Sequence, residues 1–132
     1  MPFVPGPQES VEKLSIERLS DQAISALKVV RLTSDTTADI AESTLTYADA
    51  SAVGIATSSA IAAGLPISIL TYGVLEDAFF AFPLNDVLFL GTGGTITNVA
   101  PTLGAGDTHN TIIGRSLGAG AIFINVREPI GL

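Results

Sequence analysis

One stretch of the sequence, Gly114-Arg-Ser116-Leu-Gly118, has the spacing of a catalytic motif. It matches the G-x-S-x-G nucleophile elbow, which needs a strand-turn-helix context and, later in the chain, an acid and then a histidine. The one histidine of the chain, His109, comes before Ser116, and the residues after the motif predict a strand. We therefore interpret these glycines as turn residues of a hairpin.

The glycine-rich stretch Gly91-Thr-Gly-Gly94 is a second candidate, because such stretches cradle phosphates. A phosphate loop also needs a lysine after the glycines and a helix behind them. Here Thr95-Ile-Thr follows, which is typical of a strand, so we interpret the glycines as a tight hairpin. The pair Ser25 and Lys28 matches a third catalytic spacing, but its companion motifs are missing.

The remaining titratable groups predict neither a metal site nor acid–base chemistry. His109 has Asp107 two residues away, but a lone imidazole without cysteine partners is a weak zinc ligand set. Glu76 and Asp77 are adjacent, and adjacent strand residues point to opposite faces, whereas acid–base catalysis needs carboxylates that face one another. We expect a protein that is not an enzyme and that holds no metal or other cofactor.

Short apolar runs that end in glycine dominate the chain after residue 51 and predict strands. Strands about 8–12 residues apart with turn signals between them are typical of sandwiches and barrels. The sequence thus predicts an all-β fold, a small β-barrel or sandwich of short antiparallel strands. The expected hairpins pair residues 52–60 with 65–75, 86–91 with 95–98, and 110–117 with 121–127.

The chain before residue 52 is harder to interpret. Residues 23–33 predict a strand, 34–43 predict turns, and 45–48 predict a short return strand. Residues 8–21 are compatible with a short helix and with an extended segment. At the other end of the chain, residues 128–132 are expected to leave the fold as a short apolar tail.

The first seven residues hold three of the seven prolines, which fix the backbone and lack amide donors. We therefore divide the chain into an extended N-terminal arm, residues 1–22, and a β-barrel domain, residues 23–132. Two groups of residues are expected to form interfaces. They are Phe3, Val4 and Pro5 on the arm, for which a solvated tail is the alternative, and Phe79, Phe80 and Phe82, which cap one end of the barrel.

The chain has an acidic net charge and few charged residues. The formal net charge is −7, which repels phosphate and so argues against nucleic acids and against a polybasic membrane contact. No apolar stretch reaches the ~18 residues of a membrane-spanning helix, and the N-terminus lacks the pattern of a secretory signal. Only 14% of residues are charged, against about a quarter in a typical domain, so we expect neighbouring subunits to cover part of the surface.

Several short sequence words together resemble a small β-domain of tailed-bacteriophage virion proteins, namely capsid decoration (cement) proteins and the capsid-attached domains of head fibres. The resemblance covers residues 23–132. The words are Ile24-Ser-Ala-Leu-Lys-Val-Val-Arg-Leu, Tyr47-Ala-Asp-Ala-Ser, Val53-Gly-Ile-Ala, Ala62-Ala-Gly, Ile67-Ser-Ile-Leu-Thr-Tyr-Gly, Leu88-Phe-Leu-Gly-Thr-Gly-Gly-Thr-Ile-Thr, Ile113-Gly-Arg-Ser-Leu and Ile122-Phe-Ile-Asn-Val-Arg-Glu-Pro-Ile-Gly-Leu.

The resemblance implies a structural role. Cement proteins of this kind bind the outside of a mature head, often as homotrimers, and clamp neighbouring major capsid proteins with an N-terminal arm and barrel loops. It implies a location on the capsid surface of the virion, and in the host cytoplasm during assembly. The alternatives are a head-fibre, tail or adaptor protein involved in host attachment and, less favoured because Trp is absent, a sugar-binding β-domain.

Overall fold

The structure, a computed structural model, describes residues 13–132. Strands are the main secondary structure of this part of the chain, and they form a β-barrel with additional strands, which confirms the predicted all-β class. The strands are β1 Lys13–Ser20, β2 Val29–Leu32, β3 Thr37–Ile40, β4 Ala52–Ala56, β5 Pro66–Glu76, β6 Val87–Leu90, β7 Ile96–Thr97, β8 His109–Asn110, β9 Ile112–Gly118, β10 Ala121–Asn125 and β11 Ile130–Gly131. The one α-helix of the described residues is α1 Tyr47–Ala50, and 3₁₀ turns occupy Thr92–Gly94 and Leu103–Ala105.

Five strands close into a barrel in the order β1-β3-β2-β4-β5, because β1 pairs with both β3 and β5. The β1–β3 pair is parallel and the other four pairs are antiparallel. Every strand contributes an apolar side chain to the interior, whose main members are Ile16, Ile24, Val30, Ala38, Ala56, Ala60, Ile67 and Ile69. Burial of these side chains is the main source of stability of such a barrel.

The closing strand β1 corrects the domain boundary expected at residue 22. Its residues pair with β5 from Lys13 opposite Gly73 to Leu19 opposite Pro66, so they belong to the barrel and not to an arm. The extended alternative for residues 8–21 therefore holds for the described part of that segment. Residues 1–12 lie outside the described residues.

A second sheet grows from the same strand β5. Beyond the barrel, β5 pairs with β10, and the sheet continues through β9 and β6 to β7. The partner strand of β5 changes from β1 to β10 near Gly73, which pairs with Lys13 on one side and with Ile124 on the other. Gly73 has a φ of 122°, a backbone angle that residues other than glycine rarely adopt. This residue is where one strand passes from the barrel into the second sheet.

The strands β2, β4 and β5 form a wall with a hydrophobic core on each side. On each of them, neighbouring residues alternate between the barrel interior and a second core under the second sheet. The pairs are Val30 and Val29, Ala56 and Ile55, and Ile69 and Leu70. The second core also contains Phe80, Leu88, Leu90, Ile113, Ile122 and Ile124. Burial on both faces explains why these strands are apolar without alternation.

The three predicted hairpin pairings are confirmed, since β4 pairs with β5, β6 with β7, and β9 with β10, all antiparallel. Two predictions are wrong. Residues 37–40, predicted as turns, form strand β3, which lies between β1 and β2 in the barrel.

The C-terminal residues 128–132, expected to leave the fold, remain part of it, because Ile130 and Gly131 pair with Asn110 and His109. No helix within residues 13–132 is long and apolar enough to cross a bilayer.

The predicted strand at residues 45–48 is wrong, because helix α1 begins there. Thr46 is its N-cap, accepting a hydrogen bond from the amide of Asp49 and donating one to the Asp49 carboxylate. The Asp49 carboxylate in turn accepts from the Thr46 amide at 3.2 Å, which completes a capping box. Reciprocal satisfaction of these groups favours a helical turn over an extended segment.

We expect the substitution Gly73→Ala to lower the free energy of unfolding by about 1–3 kcal/mol, because alanine is strained at this backbone angle. Gly104→Ala is the matched control. It is exposed and its added Cβ meets no atom within 4 Å, so a change within about 0.5 kcal/mol is expected. Urea denaturation followed by far-UV circular dichroism measures both. Equal stability of the two variants would contradict the role given to Gly73.

Candidate interaction surface

The serine of the G-x-S-x-G stretch lies within strand β9 and has a structural role. Ser116 is fully buried, and its Oγ donates a hydrogen bond to the Phe82 carbonyl oxygen at 3.1 Å. A Cβ at Gly114 would lie 1.9 Å from the carbonyl oxygen of Phe123, so glycine permits the close approach of β9 and β10. The predicted hairpin is confirmed by the pairing of these strands, and Gly118 stands at its turn with a φ of 78°. The interpretation of Gly114 as a turn residue is wrong, because Gly114 lies within strand β9 opposite Ile124.

The other candidate groups also take part in holding loops together. His109 is half-buried, with Nδ1 2.9 Å from the Thr108 hydroxyl and its ring edge-on to Tyr47 at 6.0 Å. Asp107 accepts a hydrogen bond from the Ser43 hydroxyl at 2.8 Å. In the glycine-rich turn, the Gly93 amide donates to the Glu42 carboxylate at 2.8 Å, and that negative charge would repel a phosphate. Within residues 13–132, no three histidine or acidic side chains are grouped to hold a metal ion.

The predicted phenylalanine interface needs a correction at Phe80. That side chain is fully buried in the second core and presents no surface to a partner. Phe82 is half-buried against the same core, whereas Phe79 is 69% exposed. The loop holds Phe79 outward because the amides of Phe79 and Phe80 both donate to Asp77. The other predicted interface residues, Phe3, Val4 and Pro5, lie outside the described residues.

A second surface, which combines aromatic, aliphatic and charged side chains, lies on the side of the second sheet that faces away from the second core. On β10, Ile122 and Ile124 point into the second core, so Ala121, Phe123 and Asn125 point outward. Residues directly opposite in neighbouring strands share a face. We call this surface the outer face, and its members are Tyr72, Val74, Glu76, Val87, Phe89, Ile112, Arg115, Ala121, Phe123, Asn125 and Arg127.

Apolar and aromatic side chains occupy the middle of the outer face. Phe123 lies opposite Val74 on one side and Arg115 on the other, and Arg115 lies opposite Val87. The ring of Tyr72 meets that of Phe123 edge-on at 5.2 Å and is 39% exposed. An antiparallel sheet with one solvated face usually carries polar residues there. The composition of the outer face is therefore typical of a surface that another molecule covers.

Two arginines stand on this apolar surface, and both line an open groove of about 320 Å³ beside Phe123. They are the only basic residues after residue 31. Among residues 13–132 the ion pairs all involve Arg31, so no described carboxylate lies within 4.0 Å of the nitrogens of Arg115 or Arg127. Arg115 donates instead to the carbonyl oxygen of Asn85 at 3.1 Å. Aromatic residues combined with arginine are enriched at protein–protein interfaces.

Sequence reasoning missed the outer face, although a signal was present. The runs Val87-Leu-Phe-Leu90 and Ala121-Ile-Phe-Ile124 are apolar at every position and not at alternate ones. Such a run indicates a strand with both faces covered. Here one face is covered by the core of the same chain, and the other remains half-exposed.

The carboxylate of Asp49 joins helix α1 to strand β2. The hydrogen bond from the Thr46 hydroxyl, at 2.7 Å, and that from the Thr46 amide hold the pKa of Asp49 below its ordinary value of 3.8. The Arg31 guanidinium, 3.1 Å away, acts in the same direction, while partial burial opposes it. The ionised carboxylate is therefore favoured in the folded state.

We expect the stabilisation from Asp49 to depend on pH. Because the folded-state pKa lies below the unfolded one, the ionised carboxylate stabilises the fold above about pH 4, and this contribution is lost as the pH falls through the folded-state pKa. The difference in free energy of unfolding between wild type and Asp49→Asn should thus be largest near neutral pH and shrink under acid. Asp35→Asn, an equal charge change in an exposed turn, is the control. A difference for Asp49→Asn that stays constant on acidification would refute this.

No protein-family model matches the sequence, and no curated protein matches it either. The phage family named from the sequence words of residues 23–132 accordingly stays a prediction.

Proposed function

We propose that this chain is a structural virion protein, a decoration protein that binds the outside of a phage head and stabilises it by bridging neighbouring capsid subunits. The observation that carries the proposal is the outer face, whose aromatic and aliphatic side chains remain partly in water in the single chain. Partly exposed aromatic and aliphatic side chains together with arginine are enriched at protein–protein interfaces. The resemblance of residues 23–132 to phage decoration domains supports the more specific form of the proposal.

Bridging requires at least two contact surfaces on one subunit, and the loop of Phe79 supplies a second candidate. Phe79 lies beside an apolar pocket of about 380 Å³, which is lined by Ala26, Leu27, Lys28, Gly94, Thr95 and Ile96. If an apolar side chain of a partner entered this pocket, its burial would favour binding by about 25 cal/mol per Å² of apolar surface removed from water. We therefore propose Phe79 for the interface role predicted for it.

The proposed mechanism is stabilisation by preferential binding. A subunit that binds the assembled shell and not the free capsid protein shifts the equilibrium toward the shell by its binding free energy. The proposed partners are the major capsid protein and further copies of this chain, as a homotrimer on the virion surface after assembly in the host cytoplasm. Phe3, Val4 and Pro5 would add a third contact, and the net charge of −7 keeps the remaining surface soluble.

The copy number of this chain in purified particles tests the proposal. Quantitative mass spectrometry, with the major capsid protein of the same particles as the internal reference, should give a ratio of the same order as one. This ratio follows because a decoration protein contacts every local group of capsid subunits. A handful of copies per particle would favour the head-fibre, tail or adaptor alternative, and absence from the particles would contradict both.

A further inference from the structure

The outer face carries opposite charges at its two ends. Glu76 lies opposite Ala121, where β10 begins, and Arg127 follows the end of β10 on the same side. Ala121 and Arg127 are six residues apart, which corresponds to about 20 Å along an extended chain. Between these ends lie the apolar side chains of Tyr72, Val74 and Phe123.

Both end charges are available to a partner. Glu76 and Arg127 are exposed, and neither forms an ion pair with any residue between 13 and 132. The third charged member of the outer face, Arg115, already donates to the Asn85 carbonyl oxygen. A partner of uniform acidity would neutralise Arg127 and Arg115 but repel Glu76, so a complement that matches both ends of the face presents one charge of each sign about 20 Å apart.

We propose that the outer face binds the outer face of a second copy of this chain. The two copies would be related by a two-fold axis that runs across the strands, between the Phe123 and Asn125 positions of β10. This rotation reverses the strand direction, so Glu76 of each copy lies at the level of Arg127 of the other, one strand to the side, and Val74 and Phe123 meet the region of Tyr72 and Asn125. A two-fold contact requires a self-complementary surface, which this order of charges and apolar groups provides.

The size of the face sets the strength of the contact. The four strands β5, β10, β9 and β6 span about 19 Å, so the face covers about 380 Å² per copy. Stable interfaces bury about 800 Å² per partner, so we expect a weak association that depends on protein concentration. The contact rests on the proposed role of the outer face in binding neighbouring subunits and names one of them. It pairs two copies, and is therefore separate from a contact that closes a ring of three.

Charge reversal tests the pairing. Sedimentation equilibrium of the purified chain at low salt, over a series of concentrations, gives the association constant. We expect Glu76→Arg and Arg127→Glu each to weaken association about tenfold, because each creates two like-charge contacts across the two-fold axis. The double variant should restore it, since the pair is formed again with the signs exchanged. Asp35→Arg, an equal charge change in the exposed β2–β3 turn, should leave association unchanged, and circular dichroism checks that all variants are folded.

Several outcomes would overturn this inference. They are an isolated chain that does not self-associate at any concentration, single reversals that associate as wild type does, and a folded double variant that fails to recover. A trimer whose association ignores these reversals would also overturn it. The proposed function stands or falls separately, on the copy number in particles, because the sedimentation experiment uses the purified chain alone.

Discussion

The structure depends on one strand, β5, that belongs to two sheets. Its first half closes the barrel against β1, and its second half starts the sheet that continues through β10. Gly73 makes this possible because it accepts a positive φ at the point where the strand has both partners. Together with β2 and β4, this strand separates two cores, so its residues must be apolar on both sides. Each core lies against that shared wall.

The second sheet differs from the wall in what covers its two sides. The wall is covered by protein on both sides, but the second sheet has the core on one side and solvent on the other. Nevertheless, outward positions of this sheet are occupied by Phe123, Tyr72 and Val87. Such residues are typical of a face that another molecule covers. Burying such side chains is favourable by about 25 cal/mol per Å² of apolar surface, which gives a partner a driving force for binding. The low charge content of the chain agrees with a surface that is shared with neighbours.

Much of the local structure could be predicted from the sequence, because hairpins are set by turn residues and strand runs a few positions apart. Pro66, for example, is the first residue of β5, as a proline in a strand should be. Closure of the barrel by β1 could not be predicted, because it pairs residues 47 to 60 positions apart. The interface residues could likewise be predicted only in part. Adjacent phenylalanines at 79 and 80 are alike in sequence, and only the path of the loop decides that Phe80 enters the core while Phe79 faces outward.

The central claim is that other protein covers the outer face in the native assembly. The two tyrosines of the chain, Tyr72 on the outer face and Tyr47 on helix α1, are exposed to similar extents, 39% and 51%, in the single chain. Hydroxyl-radical labelling, read by mass spectrometry, compares them in the dilute isolated protein and in the assembly. The claim predicts that the ratio of Tyr72 to Tyr47 labelling falls several-fold on assembly. An unchanged ratio, with Tyr72 labelled as fully as in the isolated chain, would contradict it.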